Sequence, residues 1–318
     1  MLWPRPHPEH WRLLSKPKIV LRKGMPWTGP MQRQLWHAQP HPFAGRDLII
    51  TSDYGGEHSS ATHRVYAFLI SQGVSSAWFE AIHQIRLTLL TDGRRMSFKR
   101  VVDETRMAAL MAYLEAADTL TGHLVVVAVD KRIKRLVCFP EEFERFRAAF
   151  DLKARWNEQG FEDMARKAYF LTICLSIWAA PGMDLEWITD QDQSVANDLR
   201  LDDFQRVVAR MSSLYLQFPM GVFAMNTTAI DGPERLYEDL CAIPDLAAGM
   251  VSDVSTGILG SGGLPLNGVA RVESFSEKTK TIASWFWWPF PGLKRTMLSF
   301  DHGGGGPHSI RTINMHYG

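Results

Sequence analysis

Four aspartates stand where a strand or helix boundary can aim them at one place. Asp53 closes the run Leu48-Ile49-Ile50-Thr51 and is followed at once by Tyr54, Gly55 and Gly56. Asp130 ends the apolar run HLVVVAVD (123–130), and Asp190 follows the run Leu185–Thr189. Asp245 follows Pro244, in what reads as the first turn of a late helix. In an α/β sheet, residues at the carboxyl ends of strands gather along one edge, where ligands bind. Carboxylates gathered there repel one another unless a cation neutralises them, and Mg²⁺ and Mn²⁺ prefer such oxygen donors. Two such ions about 4 Å apart activate a water and stabilise the leaving oxygen of a phosphodiester. These residues therefore suit metal-dependent phosphodiester hydrolysis. Asp53 also suits a plain turn start, since Asp and Gly are favoured there.

The elements that must position these side chains show in the periodicity. Leu48–Thr51 reads as a buried strand and Val65–Ile70 as the returning strand of a hairpin. Trp78, Phe79, Ile82, Ile85 and Leu89 recur at helical spacing, and Arg95–Arg100 reads as a third strand. Met107, Leu110, Met111 and Leu114 mark a helix starting near Asp103, and His123–Asp130 suits the middle of a sheet. Pro140-Glu141-Glu142 opens a helical stretch, broken near Gly160, that runs to Trp178. Leu185–Thr189 and Met220–Met225 read as strands, Leu201–Tyr215 and Pro233–Ala242 as helices, and Pro244-Asp245 opens a further helix through Val254. Glu277–Trp287 reads as helical; Arg295–Phe300 and Ile310–Tyr317 read as a terminal hairpin. The class is α/β.

Composition separates a body from two ends. Residues 1–46 hold eight Lys/Arg and one acid, and read as a basic Pro/Trp/His-rich arm, extended and wrapped on the body through Trp3, Trp11, Trp27 and Trp36. Residues 47–260 hold 30 acids against 21 Lys/Arg, a net of −9, and form the expected α/β domain. Residues 261–318 form a C-terminal extension with the aromatic cluster WFWWPFPG (285–292) and a hinge at Gly260–Gly263. An acidic body with basic ends fits a metal-binding domain whose arms meet phosphates, and equally a plain acidic domain with solvated tails. The three cysteines are far apart with no CxxC pair, which argues against zinc ribbons and disulfide frameworks. No run approaches the ~18 apolar residues of a membrane span. Prolines 4, 6 and 8 interrupt any signal-peptide pattern, so a cytoplasmic protein is expected. No GxxxxGK[ST], GxSxG or HExxH is present, nor a GxGxxG after a strand, which argues against P-loop, serine-hydrolase, zincin and dinucleotide chemistry.

Five segments together resemble the family catalogued as domain of unknown function 3800. They are SDYGG (52–56), MSFKRVVDETR (96–106), VAVDKR (127–132), WITDQDQ (187–193) and IPDLAAG (243–249), spanning roughly 48–255. The resemblance implies a ribonuclease-H-like mixed sheet flanked by helices, with a helical insertion. It implies a nuclease binding RNA or DNA, with Mg²⁺ or Mn²⁺ held by Asp53, Asp190 and Asp245. Glu104 and Asp130 would be further members of the catalytic set, Asp192 an alternative to Asp190, and Lys99 and Lys131 phosphate contacts. Two positions depart from the family: Tyr54 stands where it has an acid, and Pro244 where it has a small residue. Tyr54 favours a second reading, a non-catalytic module that binds nucleic acid or a protein partner, with self-association open. Analogy adds a role in a bacterial defence or mobile-element system.

Overall fold

A computed structural model of the 318-residue chain describes residues 27–38, 43–138, 140–216, 218–232, 234–259, 275–288, 292–303 and 308–313. The strands are β1 (Asp47–Gly55), β2 (His63–Ser71), β3 (Gly122–Asp130), β4 (Asp184–Thr189), β5 (Phe223–Thr227), β6 (Lys294–Asp301) and β7 (Ser309–Ile313). They form one mixed sheet in the order β5-β4-β1-β2-β3-β6-β7. β1 is antiparallel to β2 and β2 to β3, whereas β4 runs parallel to β1 and β5 parallel to β4. β6 lies parallel to β3, and β7 returns antiparallel beside it.

Helices cover both faces. α1 (Thr28–Ala38), α4 (Phe143–Phe150), α5 (Glu158–Trp178) and α6 (Asp198–Tyr215) lie on one side. α2 (Ser76–Thr88), α3 (Glu104–Ala117), α7 (Leu236–Leu259) and α8 (Glu277–Trp287) lie on the other. Strand alternation distributes the core: Tyr66, Phe68 and Ile70 of β2 meet the α5 side, and Val65, Ala67 and Leu69 meet the α7 side. β3 is buried along its whole length, as a continuous apolar run requires.

Several expectations give way. The segment before the sheet is not wholly extended, because Thr28–Ala38 is a helix whose Met31 and Leu35 are fully buried in the α5-side core. Trp27 packs edge-on against Phe300, while Trp36 is half exposed; Trp3 and Trp11 lie outside the described residues, as does the expected hinge at 260–263. The C-terminal hairpin is not an appendage; its first strand pairs with β3 inside the sheet. Trp285 and Phe286 of the aromatic cluster pack inward, and Trp288 is exposed. The helical break falls at 151–157 rather than at Gly160, which sits in the first turn of α5 beneath the Asn157 cap. β5 begins three residues later than expected, because Gly221 and Val222 are turned back onto Met183 and Asp184.

Arg95–Arg100 forms no strand. Its backbone bonds go into local turns at Ser97 and Arg100 and to the side chains of Asp245, Arg106 and Lys278 rather than to a sheet edge. The two helices expected around Pro244 are one, α7, with the proline inside it. An interior proline removes the N–H that would reach the carbonyl four residues back. That carbonyl, on Leu240, accepts the Thr51 hydroxyl of β1 at 3.2 Å. Leu240, Ile243, Leu246 and Ala247 are almost fully buried, and this packing holds the chain helical across the proline.

Candidate functional site

β1 sends alternate side chains to opposite faces. Thr51 reaches α7, so Asp53 faces α7 as well. Ser52 and Tyr54 face the α5 layer, where Tyr54 bonds Ser52 and Thr189 at 3.0 and 3.1 Å. The Asp190 N–H donates to the Ser52 carbonyl at 3.2 Å, extending the parallel ladder one step beyond β4. Asp53, two residues before the end of β1, and Asp190, just past the end of β4, therefore lie on neighbouring strands at the same edge.

α7 crosses this edge at close range. A Cβ on Gly55 would lie 3.0 Å from the Ala248 carbonyl oxygen, so glycine is what lets helix and strand approach. The approach brings Asp245, nine residues into α7 rather than in a first turn, over the strand ends. Its carboxylate accepts the Phe98 backbone N–H at 2.6 Å. Gly249, one turn on, leaves room for the Phe98 ring, since a Cβ there would meet the ring at 2.2 Å.

Asp53, Asp190 and Asp245 line one cleft of about 210 Å³. Burial, then the charges of Asp245 and Asp190, push the Asp53 carboxyl well above the usual carboxylate range. Burial and the Asp190 charge raise Asp245 to about 6, against the pull of the Phe98 N–H, Arg95 and Lys99. Three further acids at the rim have partners of their own. Glu57 pairs with Arg64 at 2.9 Å, Glu238 with Arg235 at 3.0 Å, and Asp192 with the buried Lys167. Asp192 also caps the short helical turn at Gln193–Val195, so it is already engaged. Cys241 lies in the cleft too; burial and the charges of Asp53 and Asp190 hold its thiol protonated, which removes it as a nucleophile.

The remaining sequence candidates separate. Lys99 lines the cleft. Asp130 does not: β2 lies between β1 and β3, so their ends are two strand spacings apart, roughly 10 Å. Its carboxylate is taken by Arg132. Glu104 is an exposed residue in the first turn of α3, where an acid favours the helix dipole. Lys131 donates to the His58 carbonyl at 2.6 Å, tying the β1–β2 loop to the turn after β3.

Arg95 was not among the sequence candidates, yet it lines the cleft and meets Asp190 at 3.6 Å. Its signal was the segment RRMSFKR (94–100), four basic residues of seven within an acidic body.

Carboxylate oxygens are the donor type that a hard divalent cation takes. Here they come from three aspartates, and two basic side chains, Arg95 and Lys99, face them among the described residues. As they stand, no three or more His, Cys, Asp or Glu side chains among the described residues are grouped to hold an ion. No helix among those residues is long and apolar enough to cross a membrane. No protein-family model matches the chain, and no curated protein matches it.

Proposed function

We propose that the cleft is a divalent-cation site and that the protein hydrolyses phosphodiester bonds in RNA or DNA, on a ribonuclease-H-like core of the kind found in the domain of unknown function 3800 family. The observation that carries this reading is that Asp53, Asp190 and Asp245, from two adjacent strands and a crossing helix, line one cleft in which burial raises the pKa of Asp53 and Asp245. The mixed sheet and its opening hairpin support the fold assignment. Asp53, Asp190 and Asp245 would hold Mg²⁺ or Mn²⁺. A bound ion of this kind lowers the pKa of water and neutralises charge on a phosphoryl group. Arg95 and Lys99, on one loop above the aspartates, are the side chains to receive phosphate oxygens. The Phe98 N–H keeps the Asp245 carboxylate oriented.

The test is cleavage of labelled RNA, DNA and hybrid duplexes with and without Mg²⁺ or Mn²⁺. Metal-dependent cleavage lost in Asp53→Asn and Asp245→Asn supports the reading; cleavage indifferent to both substitutions overturns it.

A second reading is binding without turnover. Tyr54, where the family has an acid, lines the cleft but turns its hydroxyl onto Ser52 and Thr189 and packs against the α5-side core, so it brings no carboxylate. This reading expects oligonucleotide binding that survives Asp53→Asn, with no cleavage under any metal.

A further inference from the structure

Arg95 combines a fixed backbone with a loosely held head. Its carbonyl accepts Nε of Arg106 at 3.2 Å, and Arg106 is itself buried and clamped by Asp92 and Asp103 at 2.9 and 2.8 Å. Three residues on, Phe98 gives its N–H to Asp245, and its carbonyl accepts Nζ of Lys278 at 2.9 Å. The segment is thus pinned at the arginine and again three residues beyond it.

The guanidinium is not pinned. Its side chain is 40% exposed, and its contact with Asp190 is a single approach of 3.6 Å. That is longer than a charge-assisted hydrogen bond and lacks the two-pronged geometry arginine adopts when it binds a carboxylate firmly. The other acids around the cleft are held more tightly by their own cations, at 3.0 Å or less.

We propose that Arg95 is the resident counter-ion of the three-aspartate cleft, and that a divalent cation displaces its guanidinium, which then takes a substrate phosphate. The inference rests on the cleft being a metal site; part of the aspartates' charge is answered from within the chain, by Arg95 beside Asp190. Metal and phosphate then bind with positive coupling, because the ion both frees the arginine and adds positive charge.

Mn²⁺ titrations followed by electron paramagnetic resonance of the free ion test this on the full chain, comparing wild type with Arg95→Met, Arg95→Lys and Lys99→Met. Arg95→Met is expected to bind Mn²⁺ about three- to tenfold more tightly than wild type, with Arg95→Lys between them. A phosphorothioate thymidine 12-mer, followed by fluorescence anisotropy, is expected to bind wild type more tightly with Mn²⁺ than without. That enhancement should shrink at least threefold in Arg95→Met. Wild type binding Mn²⁺ with Arg95→Met equal or weaker overturns the role of Arg95 and leaves the metal site standing. No Mn²⁺ binding by either protein overturns both. Binding by Arg95→Met alone supports the displacement directly. Lys99→Met tightening Mn²⁺ as much as Arg95→Met would reassign the effect to general charge and overturn the proposal.

Discussion

The Thr51 hydroxyl donates to the Leu240 carbonyl, the acceptor that Pro244 leaves without its helical N–H. Strand and helix are therefore joined two residues before Asp53 and one turn before Asp245. Thr51→Val keeps the shape and strands a buried carbonyl, so a loss of about 1–2 kcal/mol is expected in urea unfolding. In a Pro244→Ala background the helix regains its own N–H, and Thr51→Val should cost about 1 kcal/mol less. A double-mutant cycle reads that coupling; additive losses would mean that Thr51 does not answer for the proline.

Gly249→Ala probes the seat of the basic loop. The new methyl meets the Phe98 ring, and the ring must move, with the N–H that Asp245 accepts. Overpacking of this kind costs about 1–3 kcal/mol. Thermal unfolding should show the loss, and the Mn²⁺ affinity of the cleft should change with it. A variant as stable as wild type would show that the ring relaxes freely.

His123 makes the fold acid-sensitive. It is fully buried, stacked on Trp178 at 4.7 Å and bonded to Thr296, and burial lowers its pKa to about 3. The unfolded chain takes up this proton near pH 6.5 and the folded chain only near 3. Its contribution to stability is complete above pH 6.5 and falls by about 1.4 kcal/mol per unit as pH drops below that. Denaturant midpoints between pH 7 and 4.5 should fall less steeply in His123→Leu, whatever its stability at pH 7.

Asp53→Asn separates stability from binding. Burial and two neighbouring carboxylates make the Asp53 charge costly in the fold, so the amide should stabilise by about 1 kcal/mol at pH 8. Mn²⁺ should raise the unfolding temperature of wild type and leave that of Asp53→Asn unmoved. A variant that is less stable than wild type would show that the charge is already neutralised.

Residues whose local pattern was strong were legible in the chain. β3 and the body of β1 are apolar runs; β3 ends on Asp130 as expected, and β1 runs two residues past Asp53 to Gly55. What the pattern lacks is the neighbour relation. Asp190 joins Asp53 because β4 pairs with β1, whereas Asp130, with the same signature, is separated by β2. Pro244 reads as a helix start because proline is favoured there; only the distant Thr51 hydroxyl and the burial around it make it an interior residue. Arg95 carries no periodic signal at all, since a loop side chain owes its place to Arg106 and Asp190 rather than to its neighbours in sequence. The pairing of β6 with β3 spans most of the chain, beyond the reach of any local pattern.

A ribosome makes β6 long after β3. Until residues 294–300 arrive, the apolar strand 123–129 offers a row of open N–H and C=O groups to any neighbouring chain. β1, β2 and β3 can form their meander early, but parallel pairing across such a separation is slow to find. The nascent protein thus carries a sticky edge through most of its synthesis, and the closing hairpin is what ends that exposure.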